Sequence, residues 1–111
     1  QTLLAKLYDE GLGTPIDRIK AFYCYNQAAE QGDQGAQFAL GNKYNLGEGV
    51  PQDFVLSYVW FNLASAQGLR ESADGRGKLL ARMTPLQLEC GHDMSREYFE
   101  RYVIIPNASY N

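Results

Sequence analysis

The chain has 111 residues, of which 45% are apolar and 21% charged, the composition of one globular domain with a continuous core. Its net charge of −3 excludes a general nucleic-acid grip, which needs a clustered basic face. No apolar run approaches the roughly 18 residues needed to cross a bilayer, and two cysteines are too few for a disulfide scaffold.

Residues 1–35 read as helix, glycine-rich turn, helix and glycine stop. Tyr8, Gly11, Gly13, Pro15 and Asp17 mark the turn, and Ala21, Cys24, Tyr25 and Ala28 lie on the second helix before Gly32. The same grammar returns 36 residues later as Tyr44, Gly47, Gly49, Pro51 and Asp53, then Asn62, Ala64, Gln67 and Gly68. With Gln1/Gln37 and Leu4/Leu40, 11 of 35 aligned positions are identical. A fixed period of this size marks a repeat architecture, in which one helical pair must stack on a neighbour to bury its apolar face.

Within residues 36–71, Ala36, Leu40 and Tyr44 recur at i, i+4 and i+8 and predict one helical stripe. Gly47 and Gly49 suit the left-handed backbone of a helix end, and Asp53 suits an N-cap. The following helix places Ser57, Trp60, Phe61 and Ala64 on one face. After Glu71 the repeat decays. Residues 72–82 predict a helix through Leu79, Leu80 and Met83, weakened by Gly75 and Gly77. Thr84 followed by Pro85 is a start signal for a last helix from about Pro85 to Val103. Leu86, Cys90, Met94 and Tyr98 or Phe99 supply its expected buried face, and Gly91 its expected kink. No segment alternates at period two, so no strand is expected. The prediction is an all-α, right-handed α-α solenoid over residues 1–105: repeats 1–35 and 36–71, a divergent capping pair 72–105, and a tail 106–111. The chain opens inside a repeat, since Gln1 aligns with Gln37, and so reads as part of a longer or processed protein.

At these residues the chain resembles the Sel-one-like repeats, a branch of the tetratricopeptide-like helical repeats. Ala36, Leu40-Gly41, Tyr44, Gly47, Gly49-Val50, Asp53, Trp60, Ala64 and Gly68 follow the family unit. The first unit departs from it, with Thr14 for the valine and Cys24 for the tryptophan. Lys43 also departs, standing where the family has an apolar residue before the tyrosine. It is expected to lay its stem along apolar surface with its charge in water, or to point into the groove. The resemblance implies a bacterial adaptor that binds other proteins through the concave face lined by the inner helices.

Other chemistry finds little support. The Gly-x-Gly elements follow a helix and recur with the repeat, so they are turns and not phosphate loops. Acidic residues near Gly11 lack calcium-loop spacing, and Asp17 is read as a cap. His92, the single histidine, has no ligand set for zinc and is expected at the surface. The Ser-x-x-Lys motif is absent at serines 57, 65, 72, 95 and 109. No cofactor, metal site or enzyme is expected, and Cys24 and Cys90 are read as buried free thiols. Trp60 is read as core. Tyr8, Tyr25 and Tyr44 are expected between helices, leaving Tyr23, Tyr58, Tyr98, Tyr102 and Tyr110 as candidate interface anchors.

The candidate binding residues are those on inner helices that packing does not require: Lys6 and Asp9 in the first unit, and Gln37, Asn42, Lys43 and Asn45 in the second. The partner is a protein or peptide; nucleic acid is not expected, and the compartment is open between periplasm and cytosol. The alternative is a structural spacer or self-associating module, with Leu3, Leu4 and Leu7 as an apolar edge.

Overall fold

The computed structural model describes residues 17–104, the side chains of Arg18, Val103 and Ile104 excepted. These residues form five α-helices and no strand: α1 (Arg18–Glu30), α2 (Gln34–Leu46), α3 (Phe54–Ala66), α4 (Arg70–Leu80) and α5 (Pro85–Phe99). A π-helical turn, Glu100–Ile104, extends α5. The expected helix before Gly11, with Leu3, Leu4, Lys6, Leu7, Tyr8 and Asp9, lies outside the described residues, as does the tail.

Local chemistry sets the boundaries. Asp17 accepts from the Lys20 amide at 3.0 Å and Asp53 from the Leu56 amide at 3.1 Å, both as N-caps. Asp33 caps α2 in the same way, accepting from Gly35 and Ala36. One repeat later its place is taken by Leu69, and α4 starts without a side-chain cap. At α5 the Gln87 amide donates to Thr84 Oγ1 at 3.1 Å, and Gln87 Oε1 accepts from the Thr84 amide at 2.9 Å. This reciprocal pair satisfies two donors that the helix start would otherwise leave free. Gly47 ends α2 with φ of 73°, a backbone that costs an L-residue about 1 kcal/mol or more.

Each of α1, α2 and α3 packs on the helix that follows it, while α2 also touches α4 and α5 packs on α3. The stack therefore has two layers, α2 and α4 in one and α1, α3 and α5 in the other. Central α3 buries Ser57, Tyr58, Val59, Trp60, Phe61, Leu63 and Ala64. One core cluster joins Ala21, Tyr25, Ala28, Ala29, Ala36, Leu40, Val59, Trp60 and Leu63. A second joins Tyr58, Phe61 and Leu79. Gly41 lets α2 close on α3, because a Cβ there would run into the Phe61 ring. Ser57 Oγ donates to the Gly41 carbonyl at 2.6 Å and fixes this contact.

The third hairpin differs from expectation in register. Helix α4 occupies 70–80 and not 72–82. Helix α5 passes unbroken through Gly91, which is buried against Tyr58; a Cβ there would lie 2.6 Å from that ring. Gly91 is thus a close-approach residue, not a kink. The buried face of α5 runs through Leu88, Gly91, Met94 and Tyr98, while Leu86 is 69% exposed and Cys90 is exposed. Cys24 is half-buried and both thiols are free, so the expectation of two buried thiols fails at Cys90.

Beyond Met94, α5 folds its aromatic end onto the first described helix. Trp60 lies 5.5 Å from Tyr98 and 5.8 Å from Tyr102, ring centre to ring centre. The Tyr102 hydroxyl reaches Glu30 at 3.5 Å. Tyr58, Tyr98 and Tyr102 are therefore packing residues and not free anchors; of the tyrosines in question only Tyr23 is largely exposed among the described residues.

Candidate partner-binding groove

The two helices of the smaller layer enclose a groove of about 400 Å³. Helix α2 contributes Phe38, Asn42, Asn45 and Leu46, spaced i, i+4, i+7 and i+8 and so on one face. Helix α4 answers with Glu71, Asp74, Gly75 and Lys78 at i, i+3, i+4 and i+7. Phe61 from α3 forms the floor, its ring centre 5.9 Å from that of Phe38. Gly75 allows α4 to lie over this floor, since a Cβ there would sit 3.0 Å from the Phe61 ring.

The groove is apolar below and polar at its walls. Asn45 Oδ1 is shielded from solvent and has no hydrogen-bond donor. Buried acceptors are nearly always paired, and leaving one unpaired costs about 1–3 kcal/mol. Asp74 and Lys78, both exposed, stand one turn apart without closing an ion pair. Leu46 is 62% exposed at the rim. The arrangement offers an apolar seat, amide donors and acceptors, and charges of both signs.

Residues 1–33 and 35–69 each match the Sel1 repeat. The chain belongs to the Sel1 repeat family. Sel1 repeats are protein-interaction modules on a helical scaffold. Among solved structures, the chain is similar to c5321, described as a protective antigen of uropathogenic Escherichia coli strains displaying an SLR fold. That likeness has a TM-score of 0.90 and 30% identity, over 97% of this chain and 23% of the other. A Sel1 repeat protein from Oxalobacter formigenes matches with a TM-score of 0.70 and 29% identity, over 87% of this chain and 42% of that one. The chain thus spans less than half the length of either. A comparison with the curated proteins finds no match.

Within this Sel1 repeat chain the expected binding residues separate. Asn42 and Asn45 line the groove together. Gln37 does not: it is fully buried, its Nε2 donates to the Ala29 carbonyl at 3.1 Å, and its Oε1 accepts from Gln67 Nε2 at 2.7 Å. It is a packing residue, and the repeat itself carried the signal, because Gln1/Gln37 and Gln31/Gln67 recur at the period. Lys43 is 2% exposed, with its ammonium 5.4 Å from the centre of the Tyr25 ring. It reaches neither water nor groove, because its turn of α2 faces into the protein. Lys6 and Asp9 lie outside the described residues.

Phe38 and Leu46 went unnoticed in the sequence, although they share the Asn42 face and fall off the Ala36–Leu40–Tyr44 stripe. Glu71, Asp74 and Lys78 were invisible because the repeat no longer sets the register there. His92 is exposed, its ring centre 5.7 Å from that of Tyr58. Among the described residues no three His, Cys, Asp or Glu side chains gather as metal ligands. No helix among them is long and apolar enough to cross a membrane.

Proposed function

We propose that this Sel1 repeat chain is an adaptor that holds a segment of a partner protein in the α2–α4 groove, the concave side of the helical stack, and that it catalyses no reaction. The observation that carries this reading is the convergence of Asn42 and Asn45 with an apolar floor and an uncommitted charged wall. An apolar side chain of the partner rests on Phe38 and Phe61. The half-buried Asn42 amide in the groove wall offers the segment a donor and an acceptor. Glu71, Asp74 and Lys78 select the charge pattern of the segment and steer its approach. A groove this short gives modest affinity alone, and further repeats in a longer protein raise it by adding contacts to one tethered ligand. Residues 1–105 serve this role as one unit.

A random-peptide library selected on the chain tests the reading. The companion bait carries Asn42→Ala and Asp74→Lys and is first shown to melt as wild type does. Peptides enriched on wild type and lost on the variant support the groove. Peptides enriched equally on both reject it.

A further inference from the structure

A second cavity lies between the C-terminal half of α3, the middle of α4 and the end of α5, with a volume of about 410 Å³. Arg76 lines it and sits about 200° around α4 from both Asp74 and Lys78, on the other side of the helix from the groove. The repeat explains why this arginine is unusual. Helix α4 begins one period after α2, so Arg76 stands where the second repeat has Leu40, a residue with 0% exposure. A guanidinium has thus replaced a core leucine.

Its protein partner is neutral. Arg76 Nη1 donates to Asn62 Oδ1 at 2.7 Å, and Asn62 Nδ2 donates to Ser95 Oγ at 2.9 Å. This relay fixes the half-buried guanidinium, yet among the described residues no carboxylate pairs with it. Charges that leave water are paired as a rule, because an unpaired one pays its desolvation without return. Leu63, Ala66 and Phe99 supply apolar wall beside it, and exposed Arg96 adds a second positive charge at the mouth. Glu100 also lines the mouth and disfavours an anion that lies outside the reach of Arg76. The cavity falls in the size range of small-ligand sites, about 300–1,000 Å³.

We propose that this cavity binds an organic carboxylate bearing an apolar group, such as the C terminus of a peptide ending in an aliphatic residue. The carboxylate takes the planar fork of Arg76, which matches two oxygens at once. The apolar group lies on Leu63, Ala66 and Phe99. The site is separate from the α2–α4 groove and does not depend on it.

The test is an NMR titration of the ¹⁵N-labelled chain with N-acetyl-leucine, N-acetyl-leucinamide, hexanoate and inorganic phosphate. N-acetyl-leucine is expected to shift the Arg76 Nε signal and the amides of Ser65 and Ser95, saturating in the millimolar range. The leucinamide, which lacks the carboxylate, binds about tenfold or more weakly, as does N-acetyl-leucine on R76Q. R76K, which keeps the charge and loses the fork, binds several-fold more weakly and decides the matter if R76Q does not fold. N42A leaves the titration unchanged, which separates this site from the groove. Tighter binding of N-acetyl-leucine than of hexanoate assigns a peptide terminus; the reverse assigns a free acid. Equal binding of acid and amide, full binding by a folded R76Q or by R76K, or phosphate binding as tightly as N-acetyl-leucine overturns the proposal.

Discussion

Gln37 shows how a polar side chain on an inner helix can belong to the core. Its two hydrogen bonds tie the end of α1 to the end of α3 through one buried amide. Gln37→Ala is therefore expected to cost about 1–3 kcal/mol in urea unfolding. Lys43→Ala should lower the melting temperature too, since its stem is packed and its ammonium rests near the Tyr25 ring. Ser72 makes the opposite case. Its hydroxyl is buried with no partner, so Ser72→Ala is expected to raise stability by up to about 1 kcal/mol. A polar residue that recurs at the repeat period announced a packing role at Gln37; Ser72, beyond the clear repeat, gave no such warning.

The tyrosines add a pH dependence. Burial is the first cause that pushes the Tyr44 and Tyr98 phenols up, with the Tyr98 phenol adding at Tyr44 and the Tyr102 phenol adding at Tyr98. The folded state thus holds these protons more tightly than the unfolded chain does. Their contribution is complete below the ordinary tyrosine range near pH 10 and is lost as pH rises through the folded values. Melting curves should coincide from neutrality to about pH 9 and shift downward by about pH 11. A melting temperature that stays level across that interval would contradict the packing assigned to this aromatic cluster.

At the scale of elements, helix ends were legible and helix faces were only partly so. Asp17, Asp53, Thr84 and the glycines that stop α2 and α3 follow from local backbone chemistry, and that chemistry repeats along the chain. On α5 the expected stripe runs through Leu86, Cys90 and Met94, whereas the buried face runs through Leu88, Gly91, Met94 and Tyr98. Glycine decides between them and carries no apolar signal: Gly91 lets the Tyr58 ring approach, and the whole helix turns to put it inside. Two substitutions of the same kind should consequently have opposite signs. Gly91→Ala is expected to destabilise by about 1–3 kcal/mol through overpacking. Gly77→Ala, where an added Cβ meets nothing within 4 Å, should stabilise α4 by up to about 1 kcal/mol. Denaturant unfolding of both variants reads the signs directly.

For the whole molecule, the stacking of hairpins turns a repetitive sequence into two different surfaces. The 36-residue period predicted the solenoid, because each hairpin needs its neighbour to cover apolar area. The same period also half-disclosed the groove. Asn42 and Asn45 stood out as polar residues that the stripe does not need, whereas their counterparts on α4 depended on how the third hairpin seats. That seating is set by α3, which touches both α4 and α5. Charge reversal on α4, as in Asp74→Lys or Lys78→Glu, should change partner association and its salt dependence while leaving stability within about 0.5 kcal/mol.

The measurement that tests the adaptor reading most directly is a chemical-shift map of the labelled chain with its best selected peptide. The side-chain amide signals of Asn42 and Asn45, together with the backbone signals of Gly75 and Lys78, are predicted to move in a saturable way. Asn42→Ala is predicted to weaken the peptide about fivefold at unchanged melting temperature, the loss of one hydrogen bond. Shifts confined to other surfaces, with full affinity retained in Asn42→Ala and Asp74→Lys, would contradict the assignment of the groove.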